Sequence, residues 1–297
     1  MQSLSNLISK VRDFLDRVRS NKTISRVLIP LSFLYPVILI ILSWSELIEI
    51  NWGAFVGDIY YVIFLYFSSL LVQGMGWSVI LNGSFSHFFS DMEIFFKSML
   101  MRRLPGGFWH WIGRSNLYEG VEFKPQRGVG LANWTEWLFL ILSGVTIYFL
   151  CTKLIYGGIA FAISYVIIFF LINKTSKNNT AAIFYALLVI SIYLVSWLFG
   201  GIILHALIKN IFQNVLISFS KSVSVWAITG TISTISFFVP SGVFIRELSL
   251  IALLENYLNY SEVILLGLVI RIIFLICDIV LSLFGMIFFR WLGRVFK

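Results

Sequence analysis

Charge is scarce in this chain. Only 12% of its 297 residues are Asp, Glu, Lys or Arg, about half the share usual in a soluble domain. The longest polar stretches are the N-terminus and the region from Arg102 to Gly130, and neither is long enough for a soluble catalytic domain. No GxxxxGK[ST] phosphate loop occurs, which excludes transport driven by an ATPase in this chain. Cysteine is nearly missing: Cys151 and Cys277 make neither a disulfide framework nor a metal-ligand spacing. The three histidines, His87, His110 and His205, are scattered and lack paired acidic ligands, so no metal and no cofactor is expected. Enzyme signatures are wanting too. Ser143-Gly144 and Ser241-Gly242 lack the earlier Gly of a GxSG element, and Gly57-Asp58 lacks the Gly two residues before it that an intramembrane aspartyl protease shows. No cluster of Asp suggests Mg²⁺-dependent phosphotransfer. The chain is expected to be neither an enzyme nor a nucleic-acid binder.

What is present is oil. Hydrophobic residues make up 59% and aromatics 17%, with a mean hydropathy of +0.92. Apolar runs at 27–47, 55–81, 131–152, 154–172, 181–208 and 262–289 each approach or exceed the roughly 20 residues of one crossing. Residues 85–118 and 210–258 are apolar but interrupted, and read as hairpins that enter the membrane and return on the same side. The alternative is two tilted spans in each. The fold class is therefore all-α: a polytopic helical membrane protein of about six full spans plus two broken re-entrant hairpins. Ahead of the spans, Leu4, Leu7, Ile8, Val11, Leu15 and Val18 recur at helical spacing among Lys10, Arg12, Arg17, Arg19 and Lys22. Residues 1–26 thus read as a basic amphipathic helix on an anionic leaflet rather than a signal peptide.

The net charge of +8 is unevenly spread. Six Lys and Arg lie in residues 1–26, six more between Lys97 and Arg127, and the pairs and triplets at Lys174–Lys177 and Arg290–Lys297 fall on the same side if both termini are cytoplasmic. Only Lys153, Lys209 and Lys221 fall outside, where Glu46, Glu49 and Asp58 also lie. This is the positive-inside pattern.

Two polar motifs break the hairpins. The first is Arg103-Leu104-Pro105-Gly106-Gly107, followed by Arg114 and Glu119; the second is Val239-Pro240-Ser241-Gly242, followed by Arg246 and Glu247. Helix-breaking Pro-Gly backbone beside charge is tolerated at membrane depth where it is buried in protein or lines a wet cavity. From Pro105 to Glu136 is 31 residues, and from Pro240 to Arg271 is also 31. Each half then reads span, span, hairpin, span: a first repeat over 27–152, a second over 153–297, and a hinge at 173–180. Three crossings per half require the second copy to be inverted, as in many transporters.

The candidate site follows from these motifs. Pro105, Gly106, Gly107, Pro240, Ser241 and Gly242 would offer free amides to an anion, and Arg114 and Arg246 a forked cation. Arg271 joins them as a further site cation, Glu136, Glu247 and Asp278 would balance charge, and Glu119 and Glu122 stand near enough in sequence to neutralise Arg114. The plainer reading is a set of structural ion pairs, Arg246 with Glu136 or Glu247 with Arg271. Asp278, deep in the last span, is paired, protonated or part of a proton path. Trp109, Trp111, Trp134 and Trp137 read as an interface belt.

The residues Leu104-Pro105-Gly106-Gly107 through Gly113-Arg114, Glu136, Pro240-Ser241-Gly242, Arg246 and Glu247 resemble the membrane region of the lysylphosphatidylglycerol synthase family. That family includes the bacterial multiple peptide resistance factor and related stand-alone membrane proteins. The resemblance implies a cytoplasmic-membrane protein of a prokaryote that moves an anionic membrane lipid or a polyprenyl-phosphate-linked substrate between leaflets. It implies association with lipid-linked sugar pathways, and hence a glycosyltransferase as a partner. The family's soluble aminoacyl-transferase domain has no counterpart here, so synthase activity is not implied. Two other functions compete: a non-transporting scaffold for a glycosyltransferase or lipid-modifying enzyme, and an enzyme acting on a lipid head group.

Overall fold

The computed structural model describes residues 41, 52–102, 109–119, 121, 125, 128–173, 179–212, 215–236 and 245–295. The basic segment 1–26, nearly all of the first apolar run, the hinge residues 174–178 and both Pro-Gly motifs lie outside the described residues.

Among the described residues the chain is all helix. The helices are α1 (Trp52–Asn82), α2 (Phe88–Met99), α3 (Trp109–Glu119), α4 (Val129–Thr152), α5 (Leu154–Asn173), α6 (Asn179–Ile211), α7 (Phe219–Ile235), α8 (Ile245–Leu254) and α9 (Tyr260–Val295). Five of them, α1, α4, α5, α6 and α9, are long and apolar enough to cross a membrane, and each coincides with one of the apolar runs in the sequence. This is a multi-pass membrane protein. The remaining four form two helical hairpins, α2–α3 and α7–α8. They contain 12, 11, 17 and 10 residues. At 1.5 Å per residue even the longest falls short of a hydrocarbon core of about 30 Å.

Local chemistry sets the helix ends. Helix α1 stops because Gly83 takes φ 62°, a left-handed conformation that costs glycine least, and its N–H closes onto Val79 O at 2.8 Å. Helix α9 starts on a reciprocal cap. The Asn259 side chain accepts from the Glu262 N–H at 2.9 Å, and the Glu262 carboxylate accepts from the Asn259 N–H at 2.7 Å, which satisfies two otherwise orphaned donors.

The packing has an internal symmetry. Helix α1 lies against α6. Helix α2 packs on α9 as α7 packs on α4. The same correspondence relates α1–α2 to α6–α7, α2–α3 to α7–α8, α3–α4 to α8–α9, α1–α4 to α6–α9 and α1–α9 to α4–α6. Exchanging α1 with α6, α2 with α7, α3 with α8 and α4 with α9 therefore maps the helix pairings onto themselves. Each hairpin leans on the closing span of the other half. Helix α5 stands outside this exchange, packed on α4 and α6. Its place in the order of the chain corresponds to the run at 27–47.

Candidate functional site

Both hairpins are clipped to the span that follows them, and the clips are ion pairs of opposite polarity. In the first half, Arg114 of α3 bonds to Glu136 of α4 through Nη1 and Oε2. Arg114 is 1% exposed. Its Nε donates to Ser98 Oγ at 3.0 Å, and its guanidinium sits 4.3 Å from the Trp77 ring and 4.7 Å from the Phe95 ring. Tyr193 of α6 donates to the other Glu136 oxygen at 3.4 Å. Ionic, neutral and aromatic partners together offset the cost of burying two charges. Glu136, which the sequence offers to Arg246, is instead the counter-charge of Arg114; Glu119 is exposed and Glu122 lies outside the described residues. In the second half Glu247 of α8 and Arg271 of α9 make a forked pair, Nε to Oε1 at 2.5 Å and Nη2 to Oε2 at 2.9 Å. The two span positions 31 residues after each proline are thus the span ends of the two clips, Glu136 in one and Arg271 in the other.

The first hairpin is held by a further network that the sequence does not announce. Asp91 of α2 is fully buried. It accepts from Ser78 at 2.6 Å, Asn82 at 2.7 Å and Tyr118 at 2.8 Å, and Trp77 Nε1 donates to Tyr118 at 3.1 Å. One carboxylate thereby ties α1, α2 and α3 together.

Arg246, the second residue of α8, is placed differently. Its guanidinium lies 4.3 Å from the ring of Trp226 and 5.9 Å from that of Phe274, and it borders a cavity of about 160 Å³. The cavity lies where α1, α4, α6, α7, α8 and α9 converge. A second cation, Arg102, enters it from the end of α2, immediately before the first Pro-Gly motif. Arg102 makes no ion pair among the described residues; its Nη1 reaches only Met99 Sδ, at 3.9 Å. Ser69, Gln73, Ser196, Ser233 and Thr234 line the walls, with Tyr66, Trp197 and Trp226. No carboxylate lines the cavity among the described residues.

Two glycines make the wall possible. A Cβ on Gly200 would stand 1.8 Å from Trp226 Nε1, and one on Gly230 would stand 2.3 Å from the Trp197 ring. Each of α6 and α7 therefore offers a notch to the other's tryptophan, and both indoles reach the cavity. Asp278 is one turn beyond Phe274 on α9, buried, and accepts a hydrogen bond from Tyr66, which itself borders the cavity and lies against Phe274 with ring centroids 4.3 Å apart.

The sequence candidates thus separate. Arg246 is at the cavity; Arg114, Glu136, Glu247 and Arg271 are in the clips; Asp278 reaches the cavity through Tyr66; and the six Pro-Gly motif residues lie outside the described residues. Arg102, in sequence one of the six positive-inside charges between Lys97 and Arg127, borders the same cavity as Arg246. Ser69, Gln73 and Ser196 carry no signal in sequence beyond being polar within apolar runs. Trp137 binds α4 to α7 through the Thr234 carbonyl at 2.8 Å, so it packs inside the bundle as well as standing near its edge. The chain matches no protein-family model, no curated protein and no solved structure.

Proposed function

We propose that this chain moves an anionic, phosphate-bearing lipid or lipid-linked sugar intermediate between the leaflets of a prokaryotic cytoplasmic membrane, with both termini on the cytoplasmic side and without chemical change to the lipid. The observation that carries this reading is the cavity: two arginines, Arg246 and Arg102, arrive from the two hairpin tips into one polar space that no carboxylate lines among the described residues. A cation substrate would call for the opposite sign. A forked guanidinium 4.3 Å from the Trp226 ring suits a phosphate, with two parallel N–H donors per arginine. The resemblance of the motifs to the lysylphosphatidylglycerol synthase membrane region points the same way.

In this mechanism the head group leaves water for the cavity, where the arginines replace its hydration, while the acyl or isoprenoid tail stays in the bilayer. The exchange symmetry of the helix pairings supports two inverted repeats that rock about the site in alternating access. Arg114–Glu136 and Glu247–Arg271 keep each hairpin attached to its span during that motion.

Purified protein in liposomes should speed transbilayer movement of a fluorescent anionic lipid or a polyprenyl phosphate without ATP. Arg246→Ala should abolish this, and Arg246→Lys should largely do so, because Lys lacks the planar fork. Movement at the rate of protein-free liposomes, with several anionic lipids and an imposed proton gradient, would instead favour a scaffold for a partner enzyme.

A further inference from the structure

We infer that Asp278 is a proton-binding site joined to the cavity by Tyr66, and that the chain carries one proton with each anionic substrate in the same direction. The inference rests on the transport reading of the cavity and adds the source of its driving force.

Asp278 lies in α9 and is 1% exposed. Tyr66 of α1 donates to its Oδ1, and Tyr66 borders the cavity whereas Asp278 does not. The phenol is the step between a secluded carboxyl group and the polar space. One turn farther along α9, Ser282 is fully buried, and its Oγ has no hydrogen-bond partner among the described residues. An unused buried hydroxyl costs about 1–3 kcal/mol. One helical turn from a carboxyl group, a hydroxyl can donate to the ionised form and accept from the protonated form. Asp278 therefore has Tyr66 on the cavity side and, beyond it, a hydroxyl suited to either state.

The route shown by the described residues runs to the cavity and not along the span. Residues 283–289 of α9 are all apolar. Phe96 of α2 fills the notch at Gly285, where a Cβ would stand 2.5 Å from its ring, and Phe289 stacks on Phe96 with centroids 5.6 Å apart. A site open at both ends would leak protons. One that opens to the cavity exchanges them with whichever side the cavity faces, as the substrate does. Uptake balances at three oxygens. A hydronium ion in the cavity gives a proton to Tyr66 Oη as that hydroxyl passes its own proton to Asp278 Oδ1. One O–H bond forms and one breaks at Tyr66, water is left, and the new Asp278 O–H donates back to Tyr66 Oη.

The charges set the direction of coupling. Phe274, one turn before Asp278, has its ring centroid 4.3 Å from that of Tyr66 and 5.9 Å from the Arg246 guanidinium. The ionised carboxylate thus stands about one aromatic ring from the cation assigned to the phosphate, in an interior that screens charge weakly. It competes with an anion for Arg246, and protonation removes the competitor. Proton and anion then favour each other's binding reciprocally, which is symport. Other charged and titratable groups on the helices packed against α9 are engaged elsewhere. Asp91 and Glu93 of α2 bond Tyr118 and Arg290, Glu247 of α8 bonds Arg271, and Tyr193 and His205 of α6 bond Glu136 and Ser222. Tyr60 and Tyr61 of α1, Lys97 of α2 and Lys209 of α6 are exposed.

The test uses the intact protein in liposomes whose membrane potential is clamped at zero by valinomycin and equal potassium. Trace tail-labelled fluorescent phosphatidylglycerol and, separately, a fluorescent polyprenyl phosphate are added. A membrane-impermeant quencher reads the outer-leaflet share, against protein-free liposomes. With the outside one pH unit more acid, wild-type protein should concentrate a mobile probe about tenfold in the inner leaflet. One proton per lipid lets a tenfold proton ratio sustain a tenfold lipid ratio. Asp278→Asn should abolish the accumulation and Asp278→Glu should keep it. Tyr66→Phe, which removes only the hydroxyl, should slow the approach to the plateau by about tenfold or more. Rapid movement to an even distribution under the gradient overturns the proton reading and leaves transport standing. Accumulation in the outer leaflet overturns symport. Accumulation that survives in Asp278→Asn, or an unchanged rate in Tyr66→Phe, overturns the assignment to these residues. Movement of neither probe by wild-type protein overturns the transport reading on which the inference depends.

Discussion

The two hairpins are built alike and used differently. In each, a short helix after the break is clipped to the next long span by an Arg–carboxylate pair, with the charges interchanged: Arg114 to Glu136 in the first half, Glu247 to Arg271 in the second. The first hairpin spends its α3 arginine on the clip and buries it under Trp77 and Phe95. The second uses a carboxylate for the clip, and the preceding residue, Arg246, is thereby turned to Trp226 and the cavity. Interchanging the polarity of a structural pair is what places a second-half cation at the site. The first half contributes its own cation from the other side of its break, Arg102 at the end of α2. An arginine near a Pro-Gly motif is therefore not a site residue by type; the partner across the helix interface decides.

The largest expected effect breaks the first clip. Arg114→Ala leaves Glu136 buried at 4% exposure with Tyr193 as its one remaining partner among the described residues, and should cost about 3–5 kcal/mol, read as a large fall in the unfolding midpoint in detergent. Next is Asp91→Asn. An amide in place of a carboxylate that accepts three bonds must turn an NH₂ toward a donor, which should cost about 1–3 kcal/mol. The second clip is more open, with the Arg271 side chain 17% exposed. Glu247→Gln keeps part of the hydrogen bonding and should cost about 1–2 kcal/mol, less than Arg114→Ala in the same assay. A larger loss for Glu247→Gln would reverse the ranking of the two clips. The smallest effect on stability is Arg102→Gln, within about 0.5 kcal/mol because the residue makes no ion pair among the described residues. The same substitution should still weaken retention of phosphatidic acid by native mass spectrometry.

The sequence makes the long helices plain because a run of about 20 or more apolar residues has few other fates, and α1, α4, α5, α6 and α9 fall where the runs do. The equal spacing from Pro105 to Glu136 and from Pro240 to Arg271 marks the two span ends of the clips. It does not reveal their partners, which depend on how α3 and α8 turn after their breaks. In sequence Glu119 and Glu122 stand nearest to Arg114, and Glu136 reads as a partner for Arg246; only the fold brings Glu136 to Arg114. Gln73 and Ser196 lie 123 residues apart, and each alone reads as ordinary helix packing. Their meaning comes from α1 meeting α6, a contact that no local pattern encodes. Asp91, amid phenylalanines, carries no motif, and its three donors come from α1 and α3.

The central claim is that Arg246 acts on the lipid while Arg114 only holds the hairpin. The most direct test compares two proteins in identical liposomes, at matched folded amounts. One carries Arg246→Gln. The other carries Arg114→Met with Glu136→Met, which replaces a buried ion pair by apolar side chains of similar length and should leave the fold intact. The account predicts that transbilayer movement of the anionic lipid falls to the protein-free rate in the first and stays within a few-fold of wild type in the second. Loss of movement in the folded double variant together with normal movement in Arg246→Gln would contradict it.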